Sequence, residues 1–264
     1  MEPEQISEAA RLFVEARWNG VPIRELPDAC RPANADETNA IIREVTRRLA
    51  LPIGGWKITF LYKPRQCPII APLFSANIFE GPATVPPAVT HSLLAEPEIA
   101  FRVLQDLRPR EAPYTAAEVA AAVAACPALE LNDTRFDTGH RSIRQMLNNR
   151  ATVLEAHADH QTSGAYVVGP ARPDWQRFDF AELSVTMRCG ERVLVETVGG
   201  HAFTDPFLPV VVLANELRRH EGLKQGQVVA TGSFSGFFKA EADQPIVADF
   251  EGFGTVQAIF ASRA

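Results

Sequence analysis

The tripeptide Glu96-Pro97-Glu98 opens the run EPEIAFRVL (96–104), which has the apolar texture of a strand. Residues i and i+2 of a strand face the same way. Two carboxylates then share one face next to Ile99, Phe101 and Val103, where they repel each other and resist burial. A hard divalent cation resolves that conflict, because it takes oxygen ligands and carries the opposite charge. Glu130 lies in a second strand-like run, Pro127-Ala128-Leu129-Glu130-Leu131, that should be largely buried. A buried glutamate needs a partner or a metal. The competing reading of Glu96 and Glu98 is a pair of ordinary surface carboxylates on an edge strand, since most glutamates are exposed.

Other residues could serve such a site. Lys57 stands between Trp56 and Ile58 in GGWKITF (54–60), and a partly buried ammonium there needs an anion. A bound carboxylate or the glutamates themselves could supply it. Asp133 and Arg135 follow Glu130 at a spacing that would put both on the opposite strand face. Asp133 reads best as an ion-pair partner, and the planar guanidinium of Arg135 suits a substrate carboxylate. His157 and His160 share a helix face, but a soft-metal site would draw a third ligand from elsewhere. They read mainly as the end of a helix, near its last carbonyls. Thr162 and Ser163 make a polar turn whose hydroxyls could orient a water or a substrate oxygen, with His160 just before it.

Several chemistries are not supported. Gly232-Ser-Phe-Ser-Gly236 has Phe234 where a nucleophile elbow needs serine. There is no GxGxxG and no phosphate-binding loop pattern, so a nucleotide cofactor has no motif. Cys30, Cys67, Cys126 and Cys189 form no CxxC pair and read as free thiols of a reducing compartment. A net charge of −6 argues against a nucleic-acid partner. No apolar run approaches ~20 residues, and the acidic, amphipathic N-terminus lacks a secretory pattern, so a cytoplasmic protein without a membrane partner is expected.

The elements that must position these residues fall into two textures. Residues 1–51 read as a helical segment, with helices near 4–18 and after a cap at Asn34 and Glu37, separated by Pro22, Pro27 and Pro32. Residues 52–264 read as strands and turns, with candidate strands at 55–61, 96–104, 127–135, 165–168, 182–188, 192–198, 227–231, 245–250 and 253–260. Helices are expected after Thr115, stopping before Pro127, from about Pro206 to Glu221, and around 143–156. Residues 64–91 hold six prolines and read as an active-site loop or an oligomer arm. Strands outnumber helices without alternating regularly with them, which predicts an α+β fold with a mixed or mostly antiparallel sheet.

Taken together, GWKITF (55–60), AEPEIAFRV (95–103), PALELNDTRF (127–136), GAYVVG (164–169) and the segments from LKQGQVVATGS to DFEGFGTVQAIF resemble the 2-oxopent-4-enoate hydratase and 4-oxalocrotonate decarboxylase family of the fumarylacetoacetate hydrolase superfamily. The resemblance covers roughly residues 5 to 260. It implies a mixed β-roll core preceded by helices, and a Mg²⁺ or Mn²⁺ site at Glu96, Glu98 and Glu130. It also implies an active-site lysine at Lys57 and a homo-oligomer acting on small 2-oxo acids in bacterial breakdown of aromatic rings. The implied reaction is hydration of a 2-hydroxy-2,4-dienoate, with decarboxylation as the alternative. A C–C bond hydrolase would need a base such as His160 or His201, and a non-catalytic homologue is the rival from another class. The chain departs from the family pattern at 74–77, at 160–162 and at 199–206, all around the substrate rather than the metal.

Overall fold

The computed structural model describes residues 1–60, 67–140 and 142–262. Two helices come first. Helix α1 (Pro3–Asn19) starts with proline in its first turn and ends at Gly20, whose φ of 65° closes it in the left-handed region. Helix α2 (Ala35–Leu49) is capped by Asn34, whose side chain accepts the Glu37 N–H at 2.9 Å. Their apolar faces share a core with Phe74, Phe136, Met146, Ala156 and Ala158, and Phe13 meets Phe136 edge-on.

Then follow β1 (Ile53–Thr59), β2 (Ile69–Phe74), β3 (Ile78–Glu80), β4 (Ala83–Val85), β5 (Leu94–Val103), α3 (Ala116–Ala121) and β6 (Val123–Asn132). The short helices α4 (Ile143–Leu147) and α5 (Val153–Ala158) lead into β7 (Ser163–Val168), β8 (Ser184–Cys189) and β9 (Arg192–Val198). The chain ends with α6 (Phe207–Leu217), β10 (Val228–Ser233), β11 (Phe238–Lys239), β12 (Pro245–Phe250) and β13 (Gly254–Phe260). Among the described residues, no helix is long and apolar enough to cross a membrane.

Two mixed sheets result. One runs β2-β1-β10-β5-β6-β7-β3 with β11 added to β5, and the other runs β4-β13-β12-β8-β9. Odd-numbered residues of β5 and β6, such as Phe101 and Leu129, point into the large apolar core that also holds Phe250, Phe260 and α6. Even-numbered residues point the other way, into the hollow of the curled sheet. That hollow is lined by small side chains, Ala100, Cys126, Ala128 and Ala230, around Tyr166. Small residues there let the sheet curl without filling its own interior.

The proline-rich segment is not a free loop where it is described. Ile69–Phe74, Ile78–Glu80 and Ala83–Val85 are strands that pair with β1, β7 and β13. They tie both edges of the first sheet together and then join the second sheet. Six prolines hide this because the strands are short and non-periodic. The expectations for residues 61–66 lie outside the described residues. The helix after Thr115 is capped as expected and stops before Pro127, at Ala121, while the strand expected from 127 starts earlier, at Val123. The helix expected over 143–156 is instead two short ones.

Pro97 sits in β5, a central strand, where a missing N–H normally breaks the ladder. The register of β10 shifts between Ala230 and Ser233, opposite Ile99 and just past Glu98, and Phe234 N–H donates to the Pro97 carbonyl at 3.2 Å. Gly55 of β1 is needed for close approach. A Cβ there would lie 2.3 Å from the carbonyl oxygen of Val228 on the parallel neighbour β10. Gly55→Ala should therefore push β1 away from β10 and cost about 1–3 kcal/mol. A lower urea midpoint checks this, and an unchanged midpoint would show that the two strands are not so tightly held.

Candidate metal centre

Glu96 and Glu98 follow each other along the hollow face of β5, and Glu130 faces the same hollow from β6. Glu96 and Glu130 are directly paired across the two strands. Like charges so placed destabilise a sheet. Burial makes it worse: Glu130 is 0%, Glu98 1% and Glu96 9% exposed. One carboxylate oxygen from each lies within 4.8 Å of the others.

Three side chains reach into this cluster. Lys57, 8% exposed, places its Nζ 2.5 Å from both oxygens of Glu130. It sits three strands from Glu130 in the sheet order, so the contact crosses the hollow and depends on the curl. Tyr166 donates its hydroxyl to Glu98 Oε2 at 2.6 Å, and Asn132 donates its amide to Glu96 Oε1 at 2.8 Å. Neither was singled out from sequence. The signal for Asn132 was its i+2 spacing from Glu130, and Tyr166 is revealed only by its pairing opposite Glu130.

The electrostatics follow from this enclosure. Burial, then repulsion from Glu96, pushes the Glu98 carboxyl up to about 7. Burial also pushes Glu130 well above the ordinary carboxylate range. Burial opposes a charged Lys57, but the attraction of Glu130, Glu96 and Glu98 outweighs it and raises the lysine. Both shifts favour a proton shared between the two groups. With the carboxylates ionised, three negative charges and one positive leave −2 in a buried space.

The residues fit a divalent cation. Glu98 Oε1 is buried with no hydrogen-bond partner among the described residues, and the donor set is all hard oxygen. Each oxygen of Glu130 still has a lone pair beyond its contact with Lys57.

The turn before β7 is strained. His160, Gln161 and Thr162 have φ of 46°, 56° and 57°, three left-handed residues in succession with no glycine among them. The turn aims the Gln161 carbonyl at Lys57 Nζ, 3.1 Å away. The Gln161 amide in turn donates to the carbonyls of Lys57 and Ile69 at 3.1 and 2.9 Å. Thr162 is buried, and its hydroxyl donates to the Gln161 carbonyl at 2.7 Å.

The remaining sequence candidates sit apart from the carboxylates. Arg135 lies beyond the end of β6, where its Nε donates to Asp159 at 2.7 Å and its NH2 to the carbonyls of Asp133 and Ser163 at 3.1 and 3.2 Å. It borders an open groove of about 770 Å³ with Arg17 and Trp18. His160 packs against Phe74 and lies 3.2 Å from the guanidinium of Arg17. With Ser163 it borders a small cavity of about 10 Å³. Asp133 lies 3.0 Å from His91 Nδ1 and accepts from Ser92 at 2.8 Å, so its carboxylate is engaged away from the three glutamates. His201 is buried against Phe203 and Phe234, with Nε2 3.1 Å from the Thr231 carbonyl.

No family model matches the chain. It is similar over its whole length to the 2-keto-4-pentenoate hydratase of Paraburkholderia xenovorans strain LB400, at 26% identity over 97% of that protein. It is equally similar to 2-keto-4-pentenoate hydratase 3 of Pseudomonas putida. The chain is a homologue of the 2-keto-4-pentenoate hydratases. Among solved structures it resembles the 4-oxalocrotonate decarboxylase from Pseudomonas putida G7 complexed with magnesium and adipate. The TM-score is 0.78 at 20% identity, covering 98% of both chains. The chain therefore shares the fold of that decarboxylase, with the expected N-terminal helices.

The histidines near the turn set a pH dependence. Burial drops His157 to about 3 and His160 well below its ordinary value, so both are neutral when folded. The unfolded chain takes up protons near pH 6.5 while the folded one does not, so this stability is present above that pH and lost as pH falls. The His157 ring is only half-buried although its Nδ1 is enclosed, so about 1–2 kcal/mol should be lost to it between pH 7 and pH 5. Urea unfolding should show a shallower loss over that range in His157→Gln than in the parent. Identical slopes would mean that His157 titrates normally in the folded state.

Proposed function

We propose that the chain is a divalent-metal-dependent hydratase that adds water to a 2-hydroxy-2,4-dienoate of the 2-oxopent-4-enoate type, giving a 4-hydroxy-2-oxo acid. The observation that carries this is the buried Glu96, Glu98 and Glu130 cluster with Lys57 against Glu130. Full-length likeness to named hydratases supports it. The three glutamates would hold Mg²⁺ or Mn²⁺, oxygen-seeking ions that suit carboxylates. When bound, the cation supplies Lewis-acid polarisation of a 2-oxo acid.

The chain's own groups then handle protons and position. Net addition of one water requires that each proton delivered to carbon be matched by one lost from the enol hydroxyl or the water. The group that carries them must end as it began. Lys57 meets that need: its ammonium, held by Glu130 and the Gln161 carbonyl, can give a proton to carbon and regain one from the enol hydroxyl or the water, with Glu130 able to accept and return it. The Thr162 hydroxyl spends its hydrogen on Gln161, leaving its oxygen to accept from a water or a substrate hydroxyl. Arg135, His160 and Ser163 act in this reading by fixing the strained turn that presents Thr162.

The second reading, a decarboxylase of 4-oxalocrotonate type, is favoured by the likeness to that solved fold. The same carboxylates and lysine would serve it, so only products separate the two. With Mg²⁺ or Mn²⁺, 2-hydroxypenta-2,4-dienoate should be hydrated, and CO₂ release from 2-oxohex-3-enedioate should be slower. The opposite preference would replace hydration with decarboxylation. Lys57→Met should lower kcat at least ~10²-fold with ion binding retained. Glu98→Gln should abolish metal-dependent turnover, and full activity in that variant would refute the reading.

A further inference from the structure

Asn132 stands two residues beyond Glu130 on β6 and faces the same hollow. It is 1% exposed. Its amide Nδ2 donates to Glu96 Oε1 at 2.8 Å, and its backbone carbonyl accepts from Thr90 Oγ1 at 3.3 Å. Its carboxamide oxygen, Oδ1, is buried with no partner among the described residues, as is Glu98 Oε1 on the facing strand. A buried acceptor left unpaired costs about 1–3 kcal/mol. The amide orientation is fixed by chemistry, since turning it over would set Oδ1 against the Glu96 carboxylate.

A carboxamide is suited to this place for two reasons. It is a neutral donor, so it steadies Glu96 without cancelling the negative charge that a cation needs. By engaging Oε1 it leaves the second oxygen of Glu96 for ligation. The planar amide also fixes Oδ1 close to that carboxylate. An acceptor so placed repels another carboxylate and welcomes a hydroxyl or water hydrogen.

We infer that Asn132 is a positioning residue of the metal centre: Nδ2 orients Glu96 toward the cation, and Oδ1 accepts a hydrogen bond from a water or substrate hydroxyl beside it. This rests on the reading of the three glutamates as a divalent-cation site. Groups that orient a ligand in this way typically contribute 10–100-fold to ion affinity.

The test is a calorimetric titration of Mn²⁺ into the metal-free full chain, paired with urea unfolding in chelator. Asn132→Leu keeps roughly the volume and removes both donor and acceptor. It should weaken Mn²⁺ at least ~10-fold while leaving metal-free stability equal or higher, because a half-satisfied buried amide is gone. Asn132→Ser, too short to reach Glu96, should weaken Mn²⁺ to a similar degree and serves if the leucine variant does not fold. Lower stability with unchanged Mn²⁺ affinity would overturn the inference and leave Asn132 a purely structural residue. Failure of the parent chain itself to bind Mn²⁺ would overturn the cation reading beneath it, a distinguishable result.

Discussion

Everything in this molecule is arranged around the confrontation of Glu96 with Glu130 across β5 and β6. Two ionised carboxylates within about 5 Å repel by about 3 kcal/mol even at the moderate effective dielectric of a protein site. Glu98 adds a third charge. Lys57 offsets one charge, at the cost of burying an ammonium, and Tyr166 and Asn132 each engage one further oxygen. What remains once the carboxylates ionise is a charge of −2, beside an unpartnered buried oxygen on Glu98. A structure that tolerates that remainder is poised for a dication, and ion binding and folding are then linked.

The fold makes the confrontation possible. A flat sheet would leave Lys57 three strands from Glu130; the curl folds that distance across a hollow kept open by alanines and a cysteine, while Gly55 lets β1 lie close to β10. The shifted register of β10 lies opposite Ile99, next to Glu98 of β5. The left-handed turn at 160–162 then delivers a backbone carbonyl to the lysine. Strain at that turn is held by a network of side chains. Asp159 accepts from the Arg135 side chain and backbone and from Thr134, while the Gln161 amide bridges β1 and β2.

Much of this was legible from residues alone, because period-two alternation speaks directly about faces. Glu96, Glu98 and Glu130 could be placed on one side of their strands, and Lys57 could be marked as needing an anion, without knowing which. The identity of that anion was not legible, since it depends on sheet order and curl. Asn132 and Tyr166 were passed over for the same reason: neutral side chains announce themselves only through the partners that register gives them. Arg135 was expected to meet a substrate carboxylate, whereas its guanidinium is engaged by Asp159. Sequence spacing cannot reveal a competitor that arrives from 24 residues away. The strands within 69–85 were hidden by their shortness and prolines, although they close the roll.

Glu96, Glu98 and Glu130 are proposed to form one divalent-cation site. Anomalous diffraction from crystals grown with Mn²⁺ tests it most directly. A single strong peak is expected within coordination distance of Glu96, Glu98 and Glu130, with the Asn132 contact to Glu96 retained. No peak there, or a peak elsewhere with Lys57 still closing the carboxylate cluster, would contradict it.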